Sequence, residues 1–168
     1  METISDVPKA KRLFNSDLEI GTRALVILNA AYPLALDLKR LTWFDHLVVH
    51  TADIGGPSSL HPALPSRTGE MLVRRRLVEQ SLKLMQRLHL IDVIADDHGI
   101  SYQAAEDAPA VISLMRTKYS LALKERANWL VAELAGLGDD DLTLLMNARI
   151  DRWASEFQGE TGGPVSRL

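Results

Sequence analysis

The chain has 168 residues, enough for one domain with length to spare, and its 46% hydrophobic content is ordinary for a globular core. A net charge of −3, from 19 basic and 22 acidic residues, is the wrong sign for a protein that coats nucleic acid without sequence preference. With no cysteine, disulfides, thiolate zinc sites and thiol nucleophiles are excluded together.

Residues 1–16 are polar and mixed in charge and read as an extension lacking the apolar core of a signal peptide. Ser16 or Asp17 caps a first helix that ends at Pro33, with Leu18, Leu25, Leu28 and Ala31 on its apolar stripe and Val26 and Ile27 widening it. The longest apolar stretch, Ala24 to Ala31, is broken by Asn29 and falls well short of the ~20 residues a bilayer requires. No membrane association is expected, and a cytoplasmic location fits the missing cysteines and signal sequence.

Asp37 is placed to cap a second helix through Ile54. Gly55 to Gly69 holds three glycines, three prolines and three serines and reads as a long loop of the kind that often carries function. Thr68 or Gly69 opens a third helix to about Leu90, its apolar face read at Val73, Leu77, Leu84, Leu88 and Ile91. Leu90–Ala95 and Ile100–Ala104, joined by Asp96-Asp97-His98-Gly99, form a hairpin. Asp107 and Pro109 begin more helix, with or without a break near Lys118, ending at Gly136 and Gly138. Asp139–Asp141 cap a last helix, and residues 159–168 read as a disordered tail. The order predicts a mainly α domain over residues 17–158: a winged-helix-like core of three helices plus a hairpin wing, with additional C-terminal helices.

Between Arg67 and Arg87 six basic residues face two acidic ones, a local +4 in an acidic chain. In a winged helix this third helix is the one offered to the DNA major groove, where arginine reads phosphates and guanine edges. Arg74, Arg75 and Arg76 are ~100° apart, so at most two share a face, and pairing with acidic neighbours is the alternative. The hairpin opposes DNA binding: residues 92–107 carry five carboxylates and no lysine or arginine. A second acidic excess lies in 133–160, seven carboxylates against two arginines.

His46 and His50 have the spacing of a zinc helix, but the intervening Leu47-Val48-Val49 lacks a general-base glutamate, so both read as structural. His61 has no recognisable serine–acid partners, and neither GxxxxGK[ST] nor GxGxxG occurs. No catalytic residue, metal site, cofactor or small-molecule substrate is expected.

Longer motifs say more. Leu18-Glu19-Ile20-Gly21, His50 with Asp53, Gly56-Pro57-Ser58-Ser59-Leu60-His61-Pro62, and Arg67-Thr68-Gly69-Glu70 leading to Arg74-Arg75 occur in order within about residues 13–91. Together they resemble the middle component of bacterial ABC three-component systems. Ser81 and His89 depart from that pattern, standing where the family is expected to have glycine. The resemblance implies a non-enzymatic subunit that links an SMC-like ABC ATPase to an effector, often a nuclease, in defence against phages or plasmids. On that reading Ser59, His61, Arg67, Glu70, Arg74, Arg75 and Arg76 meet a partner protein, or DNA through the complex. A winged-helix transcription regulator is the alternative.

Overall fold

The computed structural model describes residues 16–62 and 68–160 of the chain. The first helix, α1 (Asp17–Ala31), begins where the Ser16 hydroxyl accepts the Glu19 N–H at 3.2 Å. It is buried almost all round from Ile20 to Leu28 and forms the centre of the domain. Leu18 does not join that stripe; it is 59% exposed.

A two-residue strand, β1 (Leu36–Asp37), leads directly into α2 (Leu38–Val49), which Asp37 caps by accepting the Arg40 N–H at 2.8 Å. The expected long second helix breaks at His50, and a 3₁₀ turn follows over Thr51–Ile54, closed by Gly55 at φ 77°. Helix α3 (Thr68–Arg87) then runs to the hairpin β2 (Ile91–Asp96) and β3 (Gly99–Ala104). The strands are antiparallel, Ile91 opposite Ala104 and Asp96 opposite Gly99, and β1 pairs with the other edge of β3 through Leu36 and Tyr102.

Three helices complete the fold: α4 (Ala108–Ser113), α5 (Lys118–Leu134) and α6 (Asp139–Glu160). The break before α5 is set by Thr117, whose hydroxyl accepts the Ser120 N–H at 3.1 Å. The chain is thus mainly helical with a three-stranded antiparallel sheet ordered β1-β3-β2, compatible with a winged-helix-like core carrying C-terminal helices. Residues 1–15 and 161–168, which hold most of the expected extension and tail, lie outside the described residues.

The apolar face of α3 differs in part from its sequence reading: Leu77, Leu84 and Ile91 pack on the core as expected, but the centre of the face lies elsewhere. Val78, Ser81, Leu82 and Met85 are buried, whereas Val73 and Leu88 are exposed by more than half. Packing against α1 decides this. A Cβ on Gly21 would lie 2.7 Å from the Met85 methyl and 3.3 Å from the Ser81 carbonyl, so the two helices meet where α1 has no side chain. Ser81 fits there because its hydroxyl turns back to the Leu77 carbonyl at 2.7 Å.

His89 ends α3 in the left-handed conformation, φ 59°. Its N–H donates to the Gln86 carbonyl and that of Leu90 to the Met85 carbonyl, both at 3.0 Å, which satisfies the last turn and sends the chain into β2. Glycine is the usual residue at such a position. The two positions thus meet different constraints, close packing at 81 and backbone sign at 89.

Candidate functional site

Arg23 borders the apolar stretch of α1 and Asp45 follows Trp43-Phe44 on α2, and folding buries both. A lone buried charge is costly, and here each meets the other. The Arg23 Nε and Nη2 donate to the two Asp45 carboxylate oxygens at 2.8 and 3.3 Å. Arg74, from α3, adds a second guanidinium at 2.5 Å on Oδ2. Burial pushes the Asp45 carboxyl up, but Arg23 and then Arg74 more than offset it and hold it below the usual range. Burial lowers the Arg23 pKa, and Asp45 reverses that shift, so both groups stay charged.

Beside this node runs a row of rings. The His46 and His50 rings lie 4.6 Å apart between centroids, tilted by 35°, and His50 meets His61 edge-on at 6.2 Å. The His61 Nε2 lies 2.8 Å from the Tyr119 hydroxyl on α5. Burial, followed by the neighbouring Arg74 cation, pushes His46 down to about 3. Burial and then Arg23 push His61 down to about 4, and burial lowers His50 as well. All three are neutral at pH 7, so the node keeps two guanidinium charges against one carboxylate.

The described part of the glycine- and proline-rich loop is held by its own domain. The Leu60 and His61 N–H groups both donate to the Val49 carbonyl at 3.1 Å, and the Thr51 hydroxyl donates to that of Pro57 at 2.8 Å. The Ser59 hydroxyl accepts the Ala52 N–H at 3.2 Å. From α5, Arg126 donates to the Ser58 carbonyl at 3.1 Å, and the Trp129 indole lies so close to Gly56 that a Cβ there would be 2.4 Å from the ring. Ser59 thus ties the loop to the 3₁₀ turn and His61 ties it to α2 and α5. The α5 residues that hold the loop, Arg126 on Ser58, Trp129 on Gly56 and Tyr119 on His61, were not visible as site residues in the sequence.

Where α1 meets the start of α5, an open and mainly apolar pocket of about 320 Å³ is lined by Leu18, Glu19, Arg23, Met115, Tyr119 and Leu123 among others. Three of the sequence motifs converge on it. Leu18 and Glu19 line it directly, His61 reaches it through Tyr119, and Arg74 reaches it through Asp45 and Arg23. Arg75 and Arg76 instead point outward from α3 and are exposed. Arg67 and the Glu70 side chain lie outside the described residues.

Among the described residues no group of three His, Asp or Glu side chains is arranged to hold a metal ion, and no helix is long and apolar enough to cross a membrane. No curated protein matches the sequence, and no solved structure does. The model of the family described as ABC-three component (ABC-3C) system Middle Component 2 matches residues 13–156, and the chain belongs to that family.

Proposed function

We propose that this middle component is a non-catalytic subunit that bridges an SMC-like ABC ATPase and an effector within a defence complex. The observation that carries the reading is the convergence of three separated family motifs on one apolar pocket with a guanidinium in its wall. Such a pocket suits a buried apolar anchor from a partner, with the Arg23 and Glu19 charges fixing its orientation. Leu18 at its edge, and Leu114 beside Met115, are 59% and 78% exposed and extend the apolar surface.

Co-purification of the chain with the products of its neighbouring genes tests the reading. Co-elution with the ATPase is expected, and Leu18→Asp is expected to weaken it at least tenfold while leaving the melting temperature unchanged. Absence of any ATPase in the eluted complex would refute the bridging role.

A second reading, direct duplex binding as a transcription regulator, is favoured by Arg75 and Arg76, which stand exposed on α3 with Lys83 and Arg87 further along. It predicts duplex affinity that falls steeply with salt and is lost in Arg75→Ala/Arg76→Ala. Unchanged affinity in that double variant removes it. Committing Arg74 to Asp45 takes one cation from the helix, and the acidic hairpin repels phosphate.

A further inference from the structure

We propose that the outer edge of β2 takes an extended, cationic segment of a partner subunit as an added strand, with alternating apolar and Lys or Arg side chains. The proposal deepens the bridging reading, which calls for a second contact surface, and rests on it in that respect only.

Strand β2 is the last in the sheet order β1-β3-β2, so among the described residues one of its edges has no neighbour. The hairpin closes on Asp96 and Gly99 around a two-residue turn, and the Ala105 N–H donates to the Leu90 carbonyl at 2.9 Å. Asp96, Ile94 and Asp92 therefore direct their backbone groups at β3, and Ala95, Val93 and Ile91 direct theirs outward. An incoming strand would find N–H and C=O groups at the required two-residue spacing.

The two faces of the hairpin then dictate the incoming side chains. Register puts Ile91, Val93 and Ala95 with Ile100, Tyr102 and Ala104 on one face. Ile91 and Ala104 are buried against the domain, but Val93 is 39% and Ile100 58% exposed, so the apolar face continues beyond the core. The other face carries Asp92, Ile94 and Asp96 with Ser101 and Gln103. No lysine or arginine occurs between residues 92 and 107 to balance its carboxylates.

Asp92 and Gln103 also line a cavity of about 530 Å³ shared with Asn29, Tyr32, Glu106 and Pro109. A long cationic side chain opposite Asp92 can extend into that space and meet Glu106. An added strand would thus place apolar residues beside Val93 and Ala95 and cations beside Asp92 and Asp96. A second copy of the chain fits poorly at this edge, because pairing β2 with itself brings like carboxylates together.

The probe is a blocked octapeptide alternating valine and lysine, titrated into the full chain and followed by backbone amide shifts. Saturable binding is expected, with the largest shifts at Val93 and Ala95, and at least tenfold weaker binding in Val93→Pro, whose ring removes an outward N–H from an edge strand. Asp92→Lys/Asp96→Lys reports the same loss without a backbone change and keeps the test open if the proline variant does not fold. A valine–glutamate peptide is expected not to bind. The proposal is overturned by absence of saturable binding, by equal affinity in the variants that fold, by shifts centred on Asp139–Asp141, or by self-pairing of the chain through β2. ATPase co-elution is expected to survive Val93→Pro, so the bridging reading and this proposal can fail separately.

Discussion

Asp45 and Asp92 occupy similar words of sequence, a single carboxylate inside an apolar run, and the fold treats them in opposite ways. Asp45 is buried and met by two guanidinium groups, while Asp92 stands exposed on a hairpin that has no cation of its own. The first carboxylate has its electrostatic partners within the domain and organises α1, α2 and α3 around it. The second is free to be neutralised from outside. Burial with satisfied partners marks a charge as architecture, and exposure without compensation marks it as available surface.

The sharpest way to break that contrast is Asp45→Asn. It leaves Arg23 buried with its charge uncompensated and is expected to cost about 3–5 kcal/mol in a denaturant titration, whereas Asp92→Asn is expected to change stability by less than about 0.5 kcal/mol. Equal effects would refute the distinction.

Next in size is the loop clamp. Gly56→Ala drives a methyl into the Trp129 ring and is expected to cost about 1–3 kcal/mol, with a smaller cost in a Trp129→Leu background that gives the methyl room. Additive losses in the double-mutant cycle would place the strain elsewhere.

The histidine row sets the acid limb. With its folded pKa lowered to about 3 from an ordinary 6.5, His46 binds a proton in the unfolded chain but not in the folded one across that window. Its contribution is present above pH 6.5 and lost as pH falls, with a slope approaching about 1.4 kcal/mol per pH unit between roughly 6 and 4. His50 and His61 act in the same direction. Urea midpoints that stay constant from pH 7 down to 4.5 would contradict the buried neutral row.

A smaller gain is expected at the end of α3, where His89→Gly relieves a left-handed histidine and raises stability by about 1 kcal/mol. Smallest of all, Arg75→Ala and Arg76→Ala are each expected to stay within about 0.5 kcal/mol of the parent, in contrast to Arg74→Ala. Thermal melts of the three variants compare them directly.

Most element positions were legible in the sequence because their signals are local. Ser16 and Asp37 act as caps, and Asp97-His98 joins two β-prone runs in register. The two-residue strand β1 left no such signal, since it exists only through pairing with β3. The face of α3 is legible only in part: Leu77, Leu84 and Ile91 pack on the core as their spacing predicts, but Val73 and Leu88 do not, because periodicity alone admits more than one stripe and Gly21 on another helix selects between them.

The site divides in the same way. His61, Ser59 and Arg74 could be named from their motifs, but their partners come from α2, α5 and the 3₁₀ turn and are set by tertiary packing. A usable hint was present: Arg23 borders the apolar stretch Ala24–Ala31 and Asp45 follows Trp43-Phe44 on a helix, and a charge buried in that setting requires an opposite charge nearby.

Helix α3 is also a ruler. Arg74 near its front ties it to the node behind the pocket, and its rear end turns through His89 into the first residue of β2. The 13 residue steps from Arg74 to Arg87 span roughly 20 Å at the helical rise and set the charged node apart from the turn that opens the hairpin. The separation belongs to a rigid rod and not to a linker, so anything gripping both ends is held at a set distance and rotation. Adding one residue within the rod would turn one end against the other by about 100° without removing a single contact group, and would separate gauge from chemistry.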